Sequence, residues 1–597
     1  MKIFQHTSLN PGFSLQPGLI DPVNYADDPQ VQERVKKQIL GKKDQIEIQR
    51  QGLEATWQEF YKIWAMESGG VSTKPYEGSL FDIYLPDTYI LTETEVDHLK
   101  NEIFPFTNNI AIRPWLSNPV APLMVLPVLE LLQYDINQAH IRSNIDVVLR
   151  DSILYGWKAV KVAWQVETIT DYARAYVQDP FGQQAAQASI EANPLSMFAP
   201  QGGSSTGFNS REVVKFEGPT FHPVHNFSLY VHPFRESDPA KLTWIHENMN
   251  VGWDFLLSMQ MEGIFSGVER LLTNDGKAAE QDNTQRSDQN IDMQTQRAGM
   301  SEGQIGDEID TFKLTEVWTK FDLYGQGQLV PTKITYSGKH ILEVRQNPYN
   351  DQEPPYVFHR DGKVTESFYG RSRVRSVKAL QYTANAVWNQ GLDSNAFASA
   401  NMVVIDVSRL RGRVEDIEIS PLMVFQMNGD ASESAVRFVA PPNTVQQNVV
   451  LGQTLSQQMR DAYRIPTAMQ GKTSEDATAT EIATTTQAGL VGIGGTATNF
   501  EEDLMSRWLT KAYKREQQFR GIDSEPRAGM PIVPAEALVP DYMLQFLSGK
   551  AAQQYMQEVQ AQMQSAEAGM EGAESGGDHE NGTPKNNSPK PPEGGAA

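Results

Sequence analysis

The 597-residue sequence predicts an α+β chain that is mostly helical. Three observations predict it. Stretches at 28–66 and 372–400 carry apolar or aromatic residues at helical steps of three and four. Segments near 160–166 and 311–344 read as strands. Two polar tracts are expected as mobile loops: 181–208, rich in Gln, Ala, Gly and Ser, and 274–306, which buries too little apolar surface to offset its ordering entropy. A chain of this length exceeds one hydrophobic core, so more than one packed region is expected.

Taken in order, residues 28–66 form a long polar helix whose Trp57, Phe60, Tyr61 and Trp64 share one face, the pattern of a core stripe. A second helix is expected over 127–155, stopped by Gly156. Val160, Val162, Trp164 and Val166 then alternate with their neighbours as a half-buried strand. Strand character returns at 213–216 and 227–231. Segments 311–323, 333–336 and 340–344 make an antiparallel group, with Ser337-Gly338 as one turn. The helix at 372–400 is followed by short strands at 403–407, 414–419, 422–427 and 436–439, then by a helix at 444–463.

Thr478-Ala479-Thr480-Glu481 has capping-box spacing and starts a helix to Phe519, with a break expected at the glycines of 492–495. A last helix is expected at 542–563 and disorder from about residue 567.

Composition excludes several chemistries. With no cysteine there is no disulfide, thiolate nucleophile or Cys-ligated metal. A net charge of −23 argues against tight phosphate binding, but an acidic wall suits DNA that slides past. No segment supplies the roughly 20 apolar residues of a membrane span, and the first residues lack the pattern of a secretory leader.

Motif fragments fail on inspection. Gly471-Lys472-Thr473 ends like a phosphate-binding loop, but Pro466 stands where its first glycine belongs. His246-Glu247 opens a zinc-protease signature that Asn250 breaks. His222, His225 and His232 cannot share one strand face. Gly489, Gly492, Gly494 and Gly495 follow no strand, so they make no dinucleotide fingerprint. No catalytic residue, cofactor or metal site is expected.

Four segments, in order along the chain, resemble portal proteins of tailed bacteriophages. They are Asp151-Ser152-Ile153-Leu154-Tyr155-Gly156 before the alternating strand, and Glu217-Gly218-Pro219-Thr220-Phe221 followed by Val224-His225-Asn226-Phe227. Next come Asn347-Pro348-Tyr349 and Tyr369-Gly370-Arg371-Ser372, opening the helix with Gln381, Asn385, Asn389 and Asp393. The last is Ala477-Thr478-Ala479-Thr480-Glu481-Ile482.

The resemblance implies a wing over 1–371, a first stem helix at 372–400 and a β-rich clip at 401–442. A second stem helix would follow at 443–464, a tunnel loop at 465–477, a long wing helix at 478–519, a crown at 520–566 and a disordered tail at 567–597.

It implies a homo-oligomeric ring of about twelve copies at one capsid vertex of the virion, assembled in the host bacterial cytoplasm. Its partners would be the terminase large subunit, head-tail adaptor or tail proteins, major capsid and scaffolding proteins, and double-stranded DNA passing without sequence specificity. The other reading is a collar or adaptor ring of the virion neck.

Candidate residues follow from that placement. Gln381, Asn385, Gln390 and Ser394 are the candidate polar side of the first stem helix, facing the DNA channel. Gln470, Lys472 and Thr473 lie in the tunnel loop, where Lys472 would be the cation nearest DNA. Arg409, Arg411 and Arg413 alternate as on one strand face and are candidates for docking a partner in the clip.

Overall fold

A computed structural model describes residues 23–66, 74–103, 110–114, 121–171, 211–272, 311–399, 402–405, 408, 436–439, 444–465, 491, 493–519 and 543–574. Asp28 caps the first helix by accepting the Gln30 amide at 2.8 Å, and proline follows it. α1 (Pro29–Val35) runs through a π-helical turn (Lys36–Leu40) into α2 (Gly41–Ala65). The expected core stripe is found: Trp57, Phe60 and Tyr61 are buried, and Trp64 packs at the cluster's edge.

α3 (Asp87–Ile103) had no clear sequence signal, because Thr88, Thr92 and Glu95 occupy buried positions and dilute its apolar stripe. β1 (Ile110–Pro114) follows. The helix expected over 127–155 is two, α4 (Ala121–Gln138) and α5 (Ile141–Tyr155), separated where His140 turns left-handed at φ 50°. Gly156, at φ 84°, ends α5 as expected.

The strand expected over 160–166 is also two, β2 (Trp157–Lys161) and β3 (Trp164–Asp171). β2 is not half-buried. It is the middle strand of a three-stranded sheet and buries all five residues, so its alternation reflects two covered faces. β3 pairs with β4 (Arg211–Pro219); the 181–208 tract between them lies outside the described residues. β5 (His222–Val224) flanks β2.

β6 (Leu229–His232) and β7 (Trp244–Gly252) precede α6 (Trp253–Met261), and the 274–306 tract lies outside the described residues. β8 (Thr311–Phe321), β9 (Val330–Ser337) and β10 (His340–Gln346) complete a five-stranded antiparallel sheet in the order β10-β9-β8-β7-β6. The expected antiparallel group at 311–344 is therefore present, with Gly338 at φ 55° in its turn. Val317, Ile334 and Tyr336 cover Val31, Val35, Ile39 and Ile46 of the first helices. β11 (Tyr356–Arg360) closes the smaller sheet beside β2.

Charge is buried where the sheets meet. Lys161 Nζ lies 2.8 Å from Glu247 and 2.7 Å from Glu316; Lys333 lies 3.5 Å from Glu316 and 3.0 Å from Glu343; Arg345 lies 2.7 Å from Glu343. Burial disfavours the Lys161 ammonium, but the two carboxylates hold its pKa above the ordinary lysine value.

α7 (Val374–Ser399) leads to β12 (Met402–Ile405), which pairs with β13 (Val436–Val439), and α8 (Val445–Tyr463) returns. The strands expected at 414–419 and 422–427, and the helix start at Thr478, lie outside the described residues. Residues 493–500 are helical despite Gly494 and Gly495. The irregularity comes one turn later, in a π-helical turn (Glu501–Met505) before α9 (Ser506–Phe519). The helix expected at 542–563 begins as a strand, β14 (Leu544–Ser548), which pairs with β1. α10 (Gly549–Glu574) then extends past residue 567, where disorder was expected.

Candidate functional site

The feature that stands apart is the antiparallel pair α7–α8. α7 has 26 residues, about 39 Å, and α8 has 19, about 28 Å. Glycine lets them approach. A Cβ at Gly391 would meet Asn448 Cβ at 3.2 Å, and one at Gly452 would meet Trp388 Nε1 at 2.8 Å. At the far end the Thr444 amide and hydroxyl each reach Ser394 Oγ at 3.1 Å. Over 379–399 and 445–459 the only charged residue is Asp393, and it is buried. Gln390 of α7 and Gln446, Gln447, Gln453, Gln457 and Gln458 of α8 are exposed, with Phe397, Val450 and Leu451 among them, so the surface over these stretches is neutral, part amide and part apolar.

A second polar row on α7 faces inward. Gln381, Asn385, Asn389 and Asp393, four residues apart, are buried on one helix face and hold the chain segment 79–88, which runs antiparallel to the helix. The Leu80 amide donates to Asp393 at 2.9 Å, the Ile83 amide to Asn389 at 2.9 Å, the Leu85 amide to Asn385 at 3.0 Å and the Thr88 amide to Gln381 at 3.1 Å. Asn389 and Gln381 return donations to the carbonyls of Ile83 and Leu85 at 3.1 and 2.9 Å. Side-chain amides thus replace a neighbouring strand for a backbone that has none. Burial works against the Asp393 carboxylate, but hydrogen bonds from Ser79, at 2.6 Å, and Leu80 hold its pKa below the ordinary value.

The base of the pair is set by the segments that carry the family resemblance. Gly156 and Gly370 lie backbone against backbone: a Cβ on Gly370 would overlap the carbonyl oxygens of Asp361 and Gly156. The Asp361 amide donates to Gly156 O at 3.0 Å, and the Arg373 amide donates to Ile153 O at 3.2 Å, which seats the start of α7 on the end of α5. Asp151 pairs with Lys158 at 2.5 Å, and Lys158 also donates to Asn226, at 3.1 Å. Trp508 of α9 donates to Thr220 O at 3.1 Å, while the Arg515 guanidinium stacks 3.5 Å from the Tyr349 ring. Segments distant in sequence therefore converge on one junction.

Arg373 ties that junction to the helices. It donates to Asp361 at 2.8 Å and to Thr496 at 2.8 Å, and pairs with Glu95 of α3. Tyr463, the last residue of α8, meets Thr92 of α3 at 3.2 Å. Burial raises the Glu95 carboxyl to about 7, and outweighs the guanidinium beside it.

The structure corrects one expectation and leaves others outside its described residues. Gln381 and Asn385 do not form a solvent-facing side of α7; both are buried and spent on the 79–88 segment. Ser394 is half-buried against Thr444, and only Gln390 of that set is exposed. Gln470, Lys472, Thr473, Arg409, Arg411 and Arg413 lie outside the described residues. The failed metal motif has a structural use: His246 is buried, stacks on Tyr230 and accepts the Trp244 indole at 2.8 Å; burial lowers its pKa to about 4. Among the described residues no group of three or more His, Asp or Glu could hold a metal ion, and no helix is long and apolar enough to cross a membrane.

A family model described as phage SU10 portal protein matches residues 132–521. No curated protein matches the chain.

Proposed function

The chain belongs to the phage SU10 portal protein family, a structural component of the virion, and from that premise we propose that copies of it form the ring-shaped channel at one capsid vertex through which double-stranded DNA is packaged and ejected. The α7–α8 pair carries this reading. It is long, seated on the body at its base, and free of exposed charge over 379–399 and 445–459, in a chain of net charge −23. A neutral surface neither captures phosphate nor repels it, which suits a polymer that must slide.

In this reading α7 and α8 are the stem helices of residues 372–400 and 443–464, and the β12–β13 pair roots a clip over 401–442. Residues 1–371 and 478–519 make the wing, 465–477 a tunnel loop, 520–566 a crown and 567–597 a tail. Arg409, Arg411 and Arg413 of the clip would dock the terminase large subunit during packaging and head-tail adaptors afterwards. Gln470, Lys472 and Thr473 would meet the DNA without sequence preference. Assembly would proceed in the host bacterial cytoplasm, with scaffolding and major capsid proteins against the wing.

About twelve copies would close the ring by a head-to-tail interface. Negative-stain electron microscopy of the purified full-length protein tests the reading directly. End-on views should show rings with a central hole; a compact closed dimer without a channel would overturn it.

A further inference from the structure

In a chain of net charge −23, residues 29–43 hold five Lys and Arg side chains against one acid, Glu33. Two of the five are spent inside the fold: Arg34 donates to Leu323 O at 3.1 Å, and Lys43 lies 3.5 Å from Glu47. Lys36, Lys37 and Lys42 have no carboxylate partner among the described residues.

Lys37 and Lys42 open onto one groove of about 380 Å³, shared with Gln38, Gln45, Gln49 and His232. The π-helical turn brings them there, since it adds a residue to the turn and places positions five apart over one another. Lys42 sits half-buried with Nζ 5.0 Å from the centre of the Trp244 ring, and burial lowers its pKa. In the groove wall, His232 Nδ1 is buried without a hydrogen-bond partner. Burial and then the nearby Lys42 hold His232 below its ordinary pKa. The groove thus offers two ammonium groups and three amides, with the His232 ring in its wall, and no carboxylate lines it.

We propose that this groove on α1–α2 is a second, sequence-independent contact for the phosphates of duplex DNA, separate from the channel. Ammonium and amide donors around an open trough match the several oxygens of a phosphodiester, and an open trough admits a polymer. Lys37 and Lys42 precede, by several helical turns, Glu59, whose carboxylate meets Lys378 of α7. A contact there holds DNA against the body, not the stem. The choice of DNA as occupant rests on the portal reading; the groove's preference for an anion does not.

Acetylation footprinting of the purified full-length protein, read by mass spectrometry with and without a 30-base-pair duplex, tests the proposal. At low salt the duplex should protect Lys37 and Lys42 several-fold relative to exposed Lys339, and high salt should abolish the difference. Binding measured by fluorescence anisotropy should weaken several-fold in Lys37→Gln/Lys42→Gln, and its logarithmic salt slope should fall by about two. Lys37→Arg/Lys42→Arg should restore both.

Equal reactivity with and without duplex, or an unchanged slope, overturns the proposal. So does protection by polyglutamate or by millimolar inorganic phosphate where duplex gives none. Electron microscopy of the same samples separates the two readings. Rings with unprotected lysines would remove the groove and leave the portal; protected lysines on a compact closed dimer without a channel would do the reverse.

Discussion

The body and the α7–α8 pair both bury polar groups, but of opposite kinds. Between β2, β7, β8, β9 and β10 the interior holds full charges, with Lys161, Glu247, Glu316, Lys333, Glu343 and Arg345 in contact. Along α7 the interior row is Gln381, Asn385, Asn389 and Asp393, three neutral amides and one carboxylate, all bonded to backbone. Buried charges discriminate harshly between registers, because a one-residue slip of any strand leaves an ion unpaired in the core. Amides bound to backbone hold a helix against an extended segment with less at stake per contact. The body is thus specified as a rigid frame, and the pair is attached to it by many moderate bonds while its outer surface over 379–399 and 445–459 stays neutral.

The comparison breaks first where the two regions join. Gly370→Ala places a methyl group onto the carbonyls of Asp361 and Gly156, which are backbone atoms that cannot swing aside. A loss of more than about 4 kcal/mol is expected, seen as insoluble protein or loss of the cooperative unfolding transition. Gly370→Ala with a normal melting curve would mean that the junction is not rigid.

Within the body, Lys161→Met should cost about 3–5 kcal/mol in urea unfolding, since it strands Glu247 and Glu316 in the interior. Burial works against the Glu316 carboxylate, yet its lysine neighbours hold it down to about 2, and removing Lys161 lifts much of that restraint.

Glu95, between body and stem, gives the comparison a pH axis. Its folded pKa is raised from 4.5 to about 7, so between those values the folded state holds a proton that the unfolded state has lost. Stability from this group is therefore complete below pH 4.5, falls as pH rises, and is gone above about 7. The full swing is about 3 kcal/mol. Unfolding measured from pH 5 to 8 should show that decline in the wild type and a flatter profile in Glu95→Gln.

On the stem side, Asn389→Ala leaves the Ile83 amide and carbonyl without their partners at 2.9 and 3.1 Å. About 2 kcal/mol should be lost, with faster hydrogen exchange confined to 79–88 and α7. Equal loss across the body would erase the distinction between the two regions.

What could be read from the sequence follows the same division. α1–α2, β8–β10, α7 and α8 announce themselves because apolar residues at a regular period decide them. α3 does not, since Thr88, Thr92 and Glu95 are buried polar residues chosen for partners on other elements. The β1–β14 pair was equally hidden, as five residues at 110–114 gain their strand only from 544–548. The burial of Gln381 and Asn385 is hidden for a related reason. A polar row at four-residue spacing looks the same in sequence whether it meets solvent or backbone, and only the 79–88 segment decides between them.

The smallest expected effect on folding tests the stem surface itself. Gln453 and Gln458 of α8 are exposed and make no bond on which the pair depends. Gln453→Glu/Gln458→Glu should therefore change unfolding free energy by less than about 0.5 kcal/mol. If the neutral surface matters only for DNA moving past it, the same variant should form rings like the wild type yet package DNA at a changed rate, more so at low salt, where added charge is least screened. A stability loss comparable to Asn389→Ala would show instead that the outer amides belong to the fold. Unchanged packaging at every salt concentration would show that charge on this face is irrelevant to passage, and the contrast between a charged body and a neutral stem would then be one of stability alone.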